Sequence, residues 1–450
     1  MKLLKIAVLV FVICIMTTGC DTSSDMPENL LGDDILYDKA NSELYNFINR
    51  SLDGTTLVLP NNSSEVGQIN EVDSNIIAFQ RRQDVNLKIN KVGFIIVSKD
   101  NKRYTLEDSY LEEGEEIEYA NFYDLNNDGN DEVILLINNK SVVTMNVYSI
   151  NNNKVKKIST IYPTWIKDHT KYNQMKIDIG FIDNDSKLDI LMMNYDSSNG
   201  EMYVTILNYS KDNQISKTNS VKISNVKNLN DLYLAIGRIY NNKKGVILSI
   251  PTLKENNYGT QILFINDNKL EKVFDDDKLI LNSYYVPVED VNSDGIIEIP
   301  ILNNNMIESI TQNSKTSSLI SWRRWNNKTG KEADTIFISQ VYYNYMDNFK
   351  FLVPDNLANK LYIQKKVVGD TQYYVFYYYD KSGKELVELF QIDISPKKIV
   401  EDTKASVKMD TILAETDNNC YQLVVKNKDT FEKYNLTLES IKEYFSIIYK

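Results

Sequence analysis

Histidine occurs once in the 450 residues, as His169. A single imidazole excludes a zinc centre built on two or three histidines. A Ser-His-Asp triad would have to recruit it from the polar stretch Trp165-Ile166-Lys167-Asp168-His169-Thr170, where an exposed loop residue is expected rather than a general base. There is also no GxSxG elbow, no P-loop and no Rossmann glycine pattern. Cysteine is nearly as scarce, with Cys14, Cys20 and Cys420 alone. The first two belong to an N-terminal segment with the grammar of an export signal, so Cys420 is left single and a disulfide framework within one chain is excluded. Stability then has to come from elsewhere, and bound metal is one source. Positive charge is in deficit too. Without the first 19 residues, which contribute Lys2 and Lys5, 48 basic residues face 62 acidic ones, a net charge of −14. That argues against a nucleic-acid partner, whose phosphates need a basic face.

What is present begins with Lys2 and Lys5, an apolar run from Ile6 to Met16, and the small residues Thr17-Thr18-Gly19 before Cys20. Eleven apolar residues are too few to span a bilayer as a mature helix, which marks residues 1–19 as a targeting signal. The ending resembles the lipobox of bacterial lipoproteins, although Thr17 stands where that family has Leu, Val or Ile. The resemblance implies lipidation of Cys20 and a lipid anchor on the outer face of the bacterial cell membrane. The alternative is a plain secretory signal with Cys20 incidental; either way export is expected.

Behind it, residues 20–53 read as a polar tether and an amphipathic helix, because Ala40, Leu44, Phe47, Ile48 and Leu52 fall at three- and four-residue steps. Ordinary proportions of 42% hydrophobic and 25% charged residues predict folded domains beyond it. From residue 54 onward, apolar and β-branched runs alternate with Asn, Asp, Lys and Gly clusters, the pattern of strands and turns. Strands that follow an acidic loop begin at Ile76, Val133, Ile190, Val246 and Ile299, steps of 57, 57, 56 and 53 residues. A repeat of that length suits a four-stranded propeller blade. Within one unit the strands are expected at Glu132 to Ile137, Val142 to Ile150, Val155 to Ile161 and Met175 to Ile182.

The best-preserved loop is Asp124-Leu125-Asn126-Asn127-Asp128-Gly129-Asn130-Asp131-Glu132, with oxygen-bearing side chains at positions 1, 3, 5 and 9 and glycine at 6. Hard cations such as Ca²⁺ take six to eight oxygen ligands, which a short loop supplies from alternate side chains and one carbonyl. The spacing returns at Asp290, Asn292, Asp294, Gly295 and Glu298, and in worn form at Asp183, Asp185 and Asp189, where Phe181 takes the first ligand position and Ser186 the glycine's. A first unit has only the shortened Val72-Asp73-Ser74-Asn75, and the fourth, Arg238 to Gly245, has lost its carboxylates.

These loops and the aliphatic runs after them resemble the FG-GAP or VCBS-type repeats of integrin-α-like β-propellers, over residues 60 to 340. The resemblance implies a mainly β fold, a propeller of about five four-stranded repeats with five to seven blades possible, at residues 54–342. It implies structural Ca²⁺ held by Asp124, Asn126, Asp128 and Glu132 with the carbonyl of Asn130, and by Asp290, Asn292, Asp294 and Glu298 with the carbonyl of Ile296. An Asn/Asp-rich hairpin turn is the plain alternative.

Residues 343–450 lack the loop, carry the run Tyr373-Tyr374-Val375-Phe376-Tyr377-Tyr378-Tyr379, and close on Leu438 to Tyr449, where Ile441, Tyr444, Phe445 and Ile448 share a helical face behind the N-cap Thr437. A small α+β domain is expected, resembling the PsbP-type fold. The segment Trp322-Arg323-Arg324-Trp325 could stack a sugar or bind an acidic group, but packing accounts for it more simply.

The functional expectation is a lipid-anchored binding or adhesion module for an extracellular protein or glycan, with no catalytic residues assigned. Two alternatives stay open: an enzyme on polysaccharide or cell wall using a carboxylate pair, and a structural lipoprotein scaffolding an envelope complex.

Overall fold

In the computed structural model the described residues are 42–52, 54–61, 68–69, 75–84, 89–100, 103–140, 142–163, 173–210, 212, 214–253, 257–303, 306–308, 317–379, 386–397 and 411–449. The export signal, Cys20, the tether, Val72 to Ser74 and His169 lie outside them. The fold is mainly β, made of six successive antiparallel-rich sheets of four to six strands, arranged along the chain as propeller blades are. It divides into two compact units, one ending at Met175 and including Tyr209–Ser216, the other comprising Lys176–Asn208 and Lys217–Lys450.

In the first unit, helix α1 (Ser42–Ser51) sets Leu44 and Ile48 against Leu57, Ala78, Ile95 and Val97 of the first sheet, as the three- and four-residue steps predict. The first sheet pairs Thr55–Leu57, Asn75–Asp84, Ile89–Asp100 and Arg103–Glu113 in that order, with Gln68–Ile69 also on Asn75–Asp84. The second pairs Glu116–Tyr123, Glu132–Asn139, Val142–Asn151 and Lys154–Ile161. Its strand after the loop, Val133 to Ile137, is buried at every residue. Apolar packing on both faces explains why that run shows no polar alternation.

The strand phase differs from the sequence expectation by one. Met175 does not close the second sheet; it lies in Asn173–Gly180, which opens the third beside Asp189–Asp196. The acidic loops at 124–132 and 181–189 are therefore the connections from the first to the second strand of the second and third sheets. The last strand of one period and the first of the next look alike in hydropathy, so the period alone does not set where a sheet begins.

In the second unit the third and fourth sheets share a core of Leu191, Met193, Val204 and Ile206 with Val246, Leu248 and Ile250. In the fourth sheet the acidic loop has contracted to a tight turn between Tyr233–Tyr240 and Lys243–Pro251, with Asn241 left-handed at φ 43°. The fifth sheet runs Ile299–Leu302, Ser317–Trp325, Thr335–Asn344, Phe349–Val353 and Phe445–Ile447. It thus passes through the boundary expected at 342/343 and takes its edge strand from the C-terminus. The strand before its loop is reduced to one bridge, Glu289 with Glu298. The sixth sheet, from Ile307–Glu308 and the strands between Leu361 and Val424, packs with helices α2 (Lys428–Lys433) and α3 (Leu438–Tyr444). The capping box of Thr437 and Ser440 starts α3 as expected. Phe445 and Ile448, however, lie beyond its end, and Phe445 turns extended to pair with Phe351.

Phe445 stacks on Phe349 at 5.5 Å between ring centroids and is 6% exposed. Phe445→Ala is expected to cost about 3–5 kcal/mol, read as a lowered midpoint in urea unfolding followed by tyrosine and tryptophan fluorescence.

Candidate functional site: the acidic loops

In the 124–132 loop the chain brings Asp124, Asn126, Asp128, Asn130 and Glu132 together. Asp124 accepts the backbone N–H of Asp128 at 3.0 Å and of Gly129 at 2.9 Å. Asp128 accepts from both the backbone and the side chain of Asn130, at 2.9 and 3.0 Å. Asn126, almost fully buried, points its amide nitrogen at Asp128 (3.0 Å) and Glu132 (3.3 Å). Glu132 is 1% exposed and accepts the N–H of Leu125 at 3.0 Å. Asn127 and Gly129 carry the reversal at φ 57° and 89°.

The electrostatics of this loop are unbalanced. Burial, together with the charges of Asp128, Asp124 and Asp131, pushes the Glu132 carboxyl up to about 7. Nearby Tyr209 is buried as well, and its phenol is raised by burial and by Glu132 and Asp128. Among the described residues no lysine or arginine ion-pairs with Asp124, Asp128, Asp131 or Glu132. Across the strand pair, the residue opposite Glu132 is Ser149. It is 5% exposed, and its hydroxyl has no hydrogen-bond partner.

The 290–298 loop repeats the backbone design. Asp290 accepts from Asp294 N (3.1 Å) and Gly295 N (2.6 Å), Asp294 accepts from Ile296 N (2.9 Å), and Glu298, fully buried, accepts from Val291 N at 3.0 Å. Asn292 donates to Asp294 at 3.1 Å. Its charge is balanced, however, by a residue no loop pattern contains. The Arg324 guanidinium donates to Asp294 Oδ2 at 2.7 Å and through Nε to Glu298 Oε1 at 3.0 Å, and its second nitrogen also reaches Glu298. Hydrogen bonding to Arg324 holds the Asp294 carboxyl below its ordinary range. From the fourth sheet Arg238 caps the carbonyls of Gly295 (2.9 Å) and Asp294 (2.8 Å).

The 181–189 loop is intermediate. Asp189, fully buried, accepts from Ile182 N (3.0 Å), Asp183 N (3.3 Å) and the amide of Asn208, its cross-strand partner. Burial and the charge of Asp183 push its carboxyl up to about 6. Asp183 and Asp185 accept N–H groups two residues on, from Asp185 and Lys187, at 2.8 Å each. Lys244 stands 5.4 Å above the ring of Phe181, the residue in the first ligand's place, and its charge acts on Asp183.

One device recurs in all three: the ninth-position carboxylate is buried and accepts the N–H of the second residue, Leu125, Ile182 or Val291. The donor sets at 124–132 and 290–298 both have the hard-oxygen chemistry a calcium ion takes. Only the first keeps a buried carboxylate without a cation. Among the described residues no three His, Cys, Asp or Glu side chains converge as metal ligands do, since the loop oxygens are turned to the loop's own N–H groups.

The Trp-Arg-Arg-Trp segment now has an account. Trp322 and Trp325 are each 1% exposed and pack in separate apolar clusters, Trp322 with Ile320 and Val341 and Trp325 with Phe264 and Phe274, as the packing expectation has it. Arg323 donates to Thr335, while Arg324 binds an acidic group, that of its own chain. The motif was visible in sequence; its partner, 26 residues upstream at Glu298, was not.

No protein-family model and no curated protein matches the chain. Solved structures with similarity include a protein from Lactobacillus plantarum at 10% identity and TM-score 0.29, covering 71% of this chain and 82% of that one. The β-propeller domain of the Trilobed protease from Pyrococcus furiosus is similar at 11% identity and TM-score 0.28, covering 76% and 89%. The exotype rhamnogalacturonan lyase YesX is similar at 10% identity and TM-score 0.29, covering 75% and 65%. Similarity at these scores carries nothing about activity.

Gly295 sits at φ 80°, and a Cβ there would meet the Arg238 guanidinium at 1.7 Å, whereas Gly129 at φ 89° has open space around it. Both Gly→Ala changes are expected to cost about 1 kcal/mol in backbone strain, with Gly295→Ala the larger loss because it also displaces Arg238. Chemical denaturation of the two variants measures the difference, and equal losses would contradict the capping role of Arg238.

Proposed function

We propose that the chain is an exported, lipid-anchored binding module whose 124–132 loop is stabilised by Ca²⁺. The blade-type sheets supply a rigid scaffold that holds loops in place, a form suited to binding or scaffolding. The observation that carries the metal reading is Glu132, a carboxylate 1% exposed among three other carboxylates and without a basic partner among the described residues. An unpaired buried charge costs several kcal/mol, and a divalent cation offsets it. Asp124, Asn126, Asp128 and Glu132 would hold the ion, with Asn130 lending its carbonyl. It would supply structural stability and no reaction step. The ligand class is an extracellular protein or glycan, presented to the loops on the outer face of the membrane to which Cys20 tethers the chain.

Calcium at 100 times its dissociation constant stabilises by ~2.7 kcal/mol. A thermal melt should therefore shift upward between chelator and millimolar calcium, and Glu132→Gln should abolish the shift. An unchanged midpoint in the wild type would sink the metal reading. For the anchor, Cys20→Ser should move the protein from the detergent phase to the soluble fraction on Triton X-114 partition. Retention of the variant in the detergent phase would rule out lipid on Cys20.

A further inference from the structure

The residue facing the ninth-position carboxylate across the strand pair differs in each loop. It is Ser149 opposite Glu132 and Asn208 opposite Asp189. In the fifth sheet, where Ile299 pairs with Arg323, the next residue on is Arg324, bonded to Glu298. The series runs from a small hydroxyl, through a neutral amide donor, to a cation. Ser149 is the member whose polar atom is buried and unpartnered. Asn208 satisfies its carboxylate with a hydrogen bond but brings no charge. Arg324 does both, and spans to a second carboxylate at position 5 of its loop.

We propose that Arg324 is the built-in cation of the 290–298 loop, so that this loop holds no calcium and metal occupancy is confined to the 124–132 loop, where Ser149 leaves the place open. Three observations support it. A guanidinium bonded to both Asp294 and Glu298 claims the two carboxylates a calcium ion would need, and its charge repels a second cation. Arg238 is bonded to the carbonyls of Asp294 and Gly295, so a second guanidinium bears on the same loop. The unpartnered Ser149 hydroxyl beside Glu132 shows that the equivalent position in the second sheet has no such substitute. The residues expected from sequence at 290–298 thus have the oxygen donors for calcium but not the charge vacancy.

The confinement to 124–132 rests on the calcium reading above; the closure of 290–298 by Arg324 does not. Bound calcium is measured by equilibrium dialysis on the full chain for wild type, Glu132→Gln, Glu298→Gln and Arg324→Ser. The expected result is one ion in wild type, none in Glu132→Gln, one in Glu298→Gln and two in Arg324→Ser. Two ions in wild type, a loss on Glu298→Gln, or a folded Arg324→Ser with no gain would each overturn the proposal. No ion in wild type with one in Arg324→Ser would refute calcium at 124–132 and leave the closure of 290–298 standing. Should Arg324→Ser fail to fold even in calcium, wild type and Glu298→Gln decide alone: one ion in both upholds the proposal, and fewer in Glu298→Gln overturns it.

Discussion

A carboxylate buried at the base of a loop is the constraint on which the repeat depends. Glu132, Asp189 and Glu298 each leave water almost completely and each accept the N–H of the loop's second residue at 3.0 Å. That bond fixes the loop's entry to its exit and seats the apolar second residue, Leu125 or Ile182, in the core. Charge-assisted bonds of this kind are about twice as strong as neutral ones. They do not by themselves repay the removal of a full charge from water. Each copy therefore needs a further partner, and the copies have found different ones.

The cost of the charge also explains the company the loops keep. Where a guanidinium is supplied, Gly295 permits the second arginine to lie flat on the loop, and Asn292 needs no burial. Where none is supplied, Asn126 is drawn in and donates to two carboxylates at once, doing with one amide what Arg324 does with a charge. In the fourth sheet the carboxylates are absent, the loop shrinks to a tight turn, and its Arg238 serves the neighbouring loop instead. The repeat without carboxylates thus supplies a base to the loop of the next.

What could be read in the sequence was local or periodic. The loop spacing, the aliphatic run after each loop, the helix at 42–51 and the cap at Thr437 are set by residues a few positions apart, and each formed as expected. The phase of the strands was not legible, because Asn173–Gly180 is as strand-like as the strands of the sheet before it and only pairing decides where it belongs. Phe445 reads as one more apolar residue at helical spacing; its extended conformation comes from pairing with Phe351, far upstream. The pairing of Arg324 with Glu298 was hidden for the same reason. Sequence shows which side chains bear charge, while strand register decides which charges meet.

Register also separates the loops by charge balance. At 290–298 both charges belong to the chain, since Arg324 pairs with Asp294 and Glu298. At 124–132 the cross-strand residue is Ser149, which brings no charge to Glu132. Two loops of nearly the same sequence therefore differ in charge balance, through one residue on a different strand. Where strand pairing fixes which side chains meet, that residue decides whether the loop's buried carboxylate has a basic partner.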